Sequence, residues 1–407
     1  MQRLYDIPSQ TLTISLEGHI DSNNSAEIGR KIAGQCAEQP HKALVIDARN
    51  LKYISSSGLR MLMKLSRNEE AMDNGRISII EVSREVYEIF NMTGFDEILD
   101  VKKAYRNVSI DGCRVIGKGA WGTVYRLDPD TIVKVYSGED SISMIKREQA
   151  MAKKAFLKGI PTPISFDPVR VGEDYGSVFE LLNSKSFNDY VVELVSGDKC
   201  KAEINRSALE NLLHVYVDCI KKVHKTEFEP NELKMSKTIF LEYLQDLEDI
   251  IPQDLSRWLS KLINEIPDDL HVVHGDLQMR NVMLSDDEPM LIDMETMCTG
   301  QPIFDLQALY VTYKEFAEDE PNNPMNFLGI SAETCDYIWK RVMELYYGTE
   351  DWDTLRHTED RIRVLAAIRF LHVLKSLDIL KGSLGELRLK HTLEHLRELS
   401  ERVENLV

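Results

Sequence analysis

Residues 274–293 read HGDLQMRNVMLSDDEPMLID, and the reading of this stretch decides the fold. Asp276 and Asn281 stand five apart in a polar loop, and Asp293 follows the apolar pair Leu291 and Ile292. Two short apolar runs around SDDE predict a β-hairpin after the loop. Phosphoryl transfer asks little covalent chemistry of a protein. It needs a carboxylate to take the proton of an accepting hydroxyl, and oxygen ligands that hold Mg2+ on the phosphates. Asp276 is placed to be that base, while Asn281 and Asp293 offer the hard oxygen donors. A polar surface loop is the alternative reading, but it has no need of these residue types at this spacing.

Upstream, residues 117–124 read GKGAWGTV and lead into YRLDPDTIVKVY. This predicts a strand, a glycine turn, a second strand, a tight DPD turn and a third strand. A lone pattern of Gly117, Gly119 and Gly122 is weak evidence, because glycine-rich turns are common. Two details raise it: Val124 follows the last glycine by two positions, and Lys134 sits within an apolar strand. A dinucleotide-binding turn would need a helix after the glycines, and here a hairpin follows. Glu148 lies in a predicted helix, SISMIKREQAMAKKAF, where it can pair with a buried Lys134 and orient it on the α- and β-phosphates. An exposed helix charge is the other reading of Glu148. The strand YGSVFELL then carries Glu180 and Leu182 to where an adenine would bond the backbone of a hinge between lobes.

These residues resemble the aminoglycoside phosphotransferase and choline kinase family, which has an α+β bilobal protein-kinase-like fold with a β-rich N-lobe and a helical C-lobe. The matching pieces are His274-Gly275-Asp276, Asn281, Ile292-Asp293, Gly300 and Asp305-Leu306, in order, over about residues 108–380. The resemblance implies ATP and Mg2+ as cofactors, Asp276 as catalytic base, Asn281 and Asp293 as metal ligands, and Lys134 backed by Glu148 on the phosphates. It implies that His274 and Asp305 brace the loop. Glu295 is read either as a helper at the metal or as an exposed charge. Arg280 stands where the family often has a small residue, and Gln278 where it often has His or Asn.

The first hundred residues alternate strands and helices. TLTISLEG, from Thr11, alternates as a half-buried strand does. Asp21-Ser22-Asn23 can cap the helix SAEIGRKIAGQCAEQ. ALVID reads as a central strand buried on both faces. After a turn at SSSG come the helix GLRMLMKLSRNEEAM, a turn at Asn74-Gly75, the strand RISIIEV and the helix SREVYEIFNMTG. The result is an α/β domain. Three stretches, EGHID at 17–21, ALVIDARNLKYISSSGLRML at 43–62 and NMTGFDEILDV at 91–101, resemble the STAS domain of anti-sigma-factor antagonists. In that family a serine at a helix N-terminus is phosphorylated by a partner kinase, and Ser56 is the matching position. The family usually has Asp just before it, where this chain has Ser55. Capping of the helix by Ser55 and Ser57 is the plainer explanation of the serines.

The domain boundary is read at 103/104, giving a STAS-like domain at 1–103 and a kinase-like domain at 104–407. At 407 residues, 43% hydrophobic and 29% charged, the composition is that of a globular protein. The net charge of −18 argues against a nucleic-acid partner. Residues 1–103 carry 13 Lys/Arg and 15 Asp/Glu, so nearly all of that charge lies in the second part. Six scattered cysteines without CxxC spacing imply reduced thiols rather than a zinc site. The polar N-terminus and the lack of a long apolar run imply a cytoplasmic protein without a membrane span.

Protein kinases dock a peptide on a long segment after the metal Asp, whereas only eleven residues separate Asp293 from Asp305. That favours the hydroxyl of a small molecule as acceptor, with the first domain serving a protein partner. The alternative is a regulator, non-catalytic or self-phosphorylating, in an anti-sigma type of switch with Ser56 as phospho-acceptor. Glu318, Asp319 and Asp351 are read as solvated loop charges or as contacts to a cationic substrate. Leu389, Leu393, Leu396, Leu399, Val403 and Leu406 recur at helical spacing in the tail. They predict packing on the C-lobe or a dimer seam.

Overall fold

The computed structural model describes residues 2–71, 77–118, 122–137, 141–166, 168–182, 184–196, 202–285 and 288–407. The chain packs as two units, Met1–Ser109 with Asp167–Glu173, and Ile110–Phe166 with Asp174–Val407.

In the first unit a sheet runs in the order β1-β2-β3-β4-β5. β1 (Arg3–Asp6) lies antiparallel to β2 (Thr11–Ile20), and β3 (Ala43–Ile54), β4 (Ser78–Val82) and β5 (Asp100–Lys103) follow in parallel. Parallel neighbours need crossovers. The helices α1 (Ser25–Glu38), α2 (Ser56–Ala71) and α3 (Arg84–Met92) supply them. Alternation in β2 buries Leu12, Ile14 and Leu16. β3 departs from the expectation of two buried faces. Leu44, Ile46 and Ala48 are buried while Ala43, Val45 and Asp47 are only partly covered. An apolar side chain on the thinly covered face costs little, so a dense apolar run need not mean full burial.

The helix after the serines starts at Ser56, before Gly58. Ser55 precedes it, its carbonyl accepting from Leu59 N at 2.9 Å and its Oγ from Gly58 N at 3.4 Å. Ahead of α1, Asp21 Oδ1 accepts from Asn23 N at 2.7 Å, while Asn24 holds the cap position. Asn74-Gly75 lies outside the described residues. β6 (Arg106–Asn107) pairs in parallel with β10 (Val169–Val171), and both group with this unit.

The second unit begins with an antiparallel sheet of β7 (Arg114–Lys118), β8 (Gly122–Arg126), β9 (Thr131–Tyr136) and β11 (Asp174–Glu180), in the order β7-β8-β9-β11. The DPD turn forms because Asp128 Oδ1 accepts from Asp130 N and Thr131 N, each at 2.8 Å. α4 (Ser141–Leu157) is the predicted helix of Glu148. A helical part follows, with α5 (Phe187–Ser196), α6 (Ala202–Val223), α7 (Ser236–Asp246) and α8 (Gln253–Asn264) before the 274–293 stretch. After it come α9 (Ile303–Tyr310), a π-helical turn at Val311–Glu315, α10 (Phe316–Asp319), α11 (Asn323–Leu328), α12 (Ala332–Tyr347), α13 (Trp352–Ser376) and α14 (Ser383–Ser400). Together these give the α/β and α+β architectures expected.

The tail packs on its own unit. Leu396, Leu399, Val403 and Leu406 are buried in the core of the helical part, with Leu389 and Leu393 against it. No helix among the described residues is long and apolar enough to cross a membrane.

Candidate active site

Two small pairings frame the site. β13 (Val272–Val273) pairs with β16 (Cys298–Thr299), so the chain entering at His274 lies beside the chain leaving after Met297. β14 (Val282–Ser285) and β15 (Glu288–Leu291) form the predicted hairpin, with β12 (Lys185–Ser186) on the edge of β14. Asp293 is thereby returned to the loop, and Ile292 N donates to Asn281 O at 3.0 Å. Asp293 itself takes a left-handed conformation, φ 58° and ψ 52°, uncommon for a residue with a side chain.

The loop is held from beneath by one carboxylate. Asp305, at the start of α9 and fully buried, accepts from His274 N at 2.9 Å, Gly275 N at 2.6 Å and His224 Nε2 at 2.9 Å. Burial alone would raise the Asp305 carboxyl, but the His224 hydrogen bond and the charge around it outweigh burial and hold it below its ordinary value. His274 Nε2 meets Ile292 O at 3.0 Å. Since a carbonyl only accepts, that nitrogen carries the proton and Nδ1 faces Asp276 N at 3.3 Å. Gly275 adopts φ +86°, and a Cβ there would stand 2.8 Å from Thr296 O, so only glycine fits.

Asp276 is presented rather than buried, with 28% of its side chain exposed. Its Oδ2 accepts from Asn281 Nδ2 at 2.9 Å and Gln278 Nε2 at 3.1 Å, and Arg369 Nη2 approaches Oδ1 at 3.4 Å. Because the Asn281 amide nitrogen is committed to Asp276, its Oδ1 is the atom left for a cation.

Across from this loop, Lys134 on β9 binds both oxygens of Glu148 at 3.2 Å and Asp293 Oδ1 at 2.6 Å. Tyr136 Oη also donates to Glu148. Burial by itself would lower the Lys134 ammonium, yet Asp293 and Glu148 raise it well above its usual value. Burial pushes the Glu148 carboxyl up, against the pull of Lys134. Glu295, half-buried near the same groups, is raised by burial, with Lys134 acting against it. Asn281 Oδ1 and the Asp293 carboxylate are hard oxygen donors, and the Lys134 contact shows that Asp293 attracts positive charge. This donor set fits Mg2+.

Strand pairing sets Val124 opposite Lys134, and Gly117 opposite Val124. A Cβ on Gly122 would stand 2.4 Å from Val135 O, so that glycine is required by the close approach of two strands. Gly119 lies outside the described residues. Glu180 ends β11 opposite Thr131 and is exposed, and Leu182 follows, half-buried, on the way to the helical part. Ser56, in the first unit, is exposed at the first position of α2. Arg280 is engaged by Phe327, donating to Phe327 O at 3.2 Å with its guanidinium 4.6 Å from the centre of the Phe327 ring.

Sequence reading missed His224, Arg369 and Tyr313, whose hydroxyl accepts from Met279 N at 3.2 Å. Nothing in the local sequence around positions 224, 313 or 369 marks them, because their role exists only across the fold. The same holds in the first unit for His41, which meets Glu69 at 2.9 Å and Gln39 O at 2.7 Å. Cys36 lies beside them, its thiol pushed up to about 12 by burial and by Glu69, hence not a nucleophile.

Comparison with known proteins finds two family models that match. One, described as a Mlab, STAS domain, covers residues 4–100, and the other, described as the phosphotransferase enzyme family, covers residues 112–328. A STAS-domain containing protein of Pseudomonas aeruginosa is 32% identical over 92 residues, which is 23% of this chain and 88% of that protein. BtrV of Bordetella bronchiseptica, described as an anti-sigma factor antagonist, is 29% identical over 90 residues, 22% of this chain and 76% of its own length. The crystal structure of a choline/ethanolamine kinase family protein from Mesorhizobium loti aligns over 72% of this chain and 89% of that one, at 14% identity and a TM-score of 0.43.

Proposed function

The chain belongs to the phosphotransferase enzyme family and carries a STAS domain ahead of it, and on that premise we propose that it moves the γ-phosphate of ATP to the hydroxyl of a small molecule. The observation that carries this reading is Lys134, whose ammonium bridges Glu148 and Asp293 from one side while Asn281 ties Asp276 from the other. Lys134 grips the α- and β-phosphates and Glu148 keeps it aimed. Asn281 Oδ1 and the Asp293 carboxylate would hold Mg2+, which would supply positive charge against the transferring phosphates. Gln278 and Asn281 fix one oxygen of Asp276, so the other is turned to the acceptor. The hydroxyl oxygen bonds to the γ-phosphorus, the bond from that phosphorus to the bridging oxygen breaks, ADP leaves, and Asp276 takes the hydroxyl proton. Asp305 holds the backbone of 274 and 275 while this happens.

The eleven residues between Asp293 and Asp305 leave no peptide-docking segment, which supports a small acceptor. The STAS domain supports a regulatory role through a protein partner. One observation favours a second reading, a self-phosphorylating switch. Ser56 is exposed where the free N–H groups and dipole of α2 favour a phosphate.

Intact-mass measurement after incubation with Mg-ATP, with Asp276→Ala alongside, tests both. ATP turnover by the wild type, falling by about 10²–10⁴-fold in the variant, is the result expected of a general base. Equal turnover in the two proteins sinks the assignment. Added phosphate on the wild type alone, mapped to Ser56, establishes the switch.

A further inference from the structure

Beside Asp276 the second unit contains a cavity of about 180 Å³, with Gly275 in its wall. Three cations line it, Arg147, Lys234 and Arg369, against a single carboxylate, Glu242. Glu242 is already engaged, in an ion pair with Lys234. Two guanidiniums therefore remain. Arg369 is mostly buried, at 16% side-chain exposure, and its approach to Asp276 is 3.4 Å. That is long beside the roughly 2.7–2.9 Å of a strong charge-assisted bond. Arg147 is exposed, and its charge acts on the half-buried Glu295, with no hydrogen bond or ion pair between the two among the described residues. Deeper in, Gln307 is fully buried. Its Nε2 donates to Phe304 O at 2.9 Å, but its Oε1 has no partner. An unmet buried acceptor is destabilising, and a ligand hydroxyl would satisfy it.

Resting on the phosphotransfer reading above, we propose that the acceptor is an anionic alcohol, a small hydroxy compound whose carboxylate or phosphate is held by Arg147 and Arg369 while its hydroxyl faces Asp276. Guanidinium forks suit both kinds of anion. An anion drawing on Arg369 leaves Oδ1 of Asp276 open to the hydroxyl. A polyamine or quaternary ammonium acceptor would meet the like charge of Arg147 and Arg369 here. The acids read from the sequence as contacts to a cation are used elsewhere. Glu318 meets His395 at 3.2 Å, Asp319 meets His391 at 2.6 Å, and Asp351 caps α13 by accepting from Asp353 N at 3.0 Å. Size agrees as well. About 180 Å³ holds about six waters at their liquid volume, below the roughly 300–1,000 Å³ of drug-sized sites.

The test has two arms, both on the full chain. In the first, malonate and inorganic phosphate are titrated calorimetrically into the nucleotide-free protein, as carboxylate and phosphate probes. The expected result is that at least one binds, that Arg147→Gln and Arg369→Gln each weaken it tenfold or more, and that Lys134→Met leaves it unchanged. Absence of binding by both probes, or loss in Lys134→Met alone, overturns the proposal. In the second arm, labelled ATP is offered with hydroxy compounds pooled by net charge. Asp276-dependent label in an anionic pool supports the proposal. Label confined to neutral or cationic pools overturns the anionic acceptor and leaves phosphotransfer standing. Anion binding without Asp276-dependent turnover in any pool overturns phosphotransfer, and the acceptor with it.

Discussion

Asp305 and Glu315 lie ten residues apart along one helical run, both buried, and their carboxyls behave in opposite ways. Asp305 accepts from two backbone N–H groups and His224, and is held below its ordinary value in spite of burial. Glu315, at the end of the π-helical turn, faces Glu318, Asp319 and His395, with Arg363 as the opposing cation. Burial first, and then Glu318, push it up to about 8. Burial disfavours a charge, and only donors aimed at it reverse the outcome. The carboxylate with donors braces the loop at 274–276. The one without them holds its proton near neutral pH.

Removing the first carboxylate has the largest expected effect. Asp305→Ala leaves His224 and the amides of 274 and 275 without their acceptor, at a cost of about 3–5 kcal/mol. Urea unfolding measures this, and a loss below about 1 kcal/mol would mean that the loop is braced by something else. Asp305 also gives acid sensitivity. Its folded pKa is depressed, so its contribution is present above the unfolded value near 4 and is lost as pH falls below it.

Glu315 has the opposite sign. Its folded value of about 8 lies above the unfolded one, so its contribution is full below about pH 4.5 and declines as pH rises towards 8. Glu315→Gln removes that decline. The variant should match the wild type near pH 4 and exceed it by on the order of 4–5 kcal/mol above pH 8. Melting temperatures at the two pH values decide, and parallel curves for the two proteins would refute the raised carboxyl. The smallest change sharpens the same contrast. His224→Phe keeps the ring packed on Tyr346, whose centroid is 5.7 Å away, but removes one donor to Asp305. A loss of about 1.5–3 kcal/mol is expected, as for a hydrogen bond to a charged group. An unchanged unfolding midpoint would show that the two backbone amides suffice.

Much of the fold was legible because its signals are local. Alternation gave β2, the DPD turn gave the β8–β9 hairpin, and leucine spacing gave the burial of the tail. The start of α2 was misread by two residues, since a run of serines permits the cap at more than one position. The run ALVID looked buried on both faces, because composition cannot tell a covered face from a tolerated apolar residue.

For the site, residue types and short spacings on either side of the hairpin named Asp276, Asn281 and Asp293. An apolar strand named Lys134, and a helix named Glu148. Those readings depend on neighbours within a few positions, and the sequence carries them alone. Where Lys134 sits relative to Asp293, 159 residues away, was decided by the tertiary structure. So was the approach of Arg369 to Asp276 across 93 residues, and the opposite fates of Asp305 and Glu315. A charge, a hydrogen bond and a desolvation act over a few ångströms of space, and chain position does not record that distance until the protein has folded.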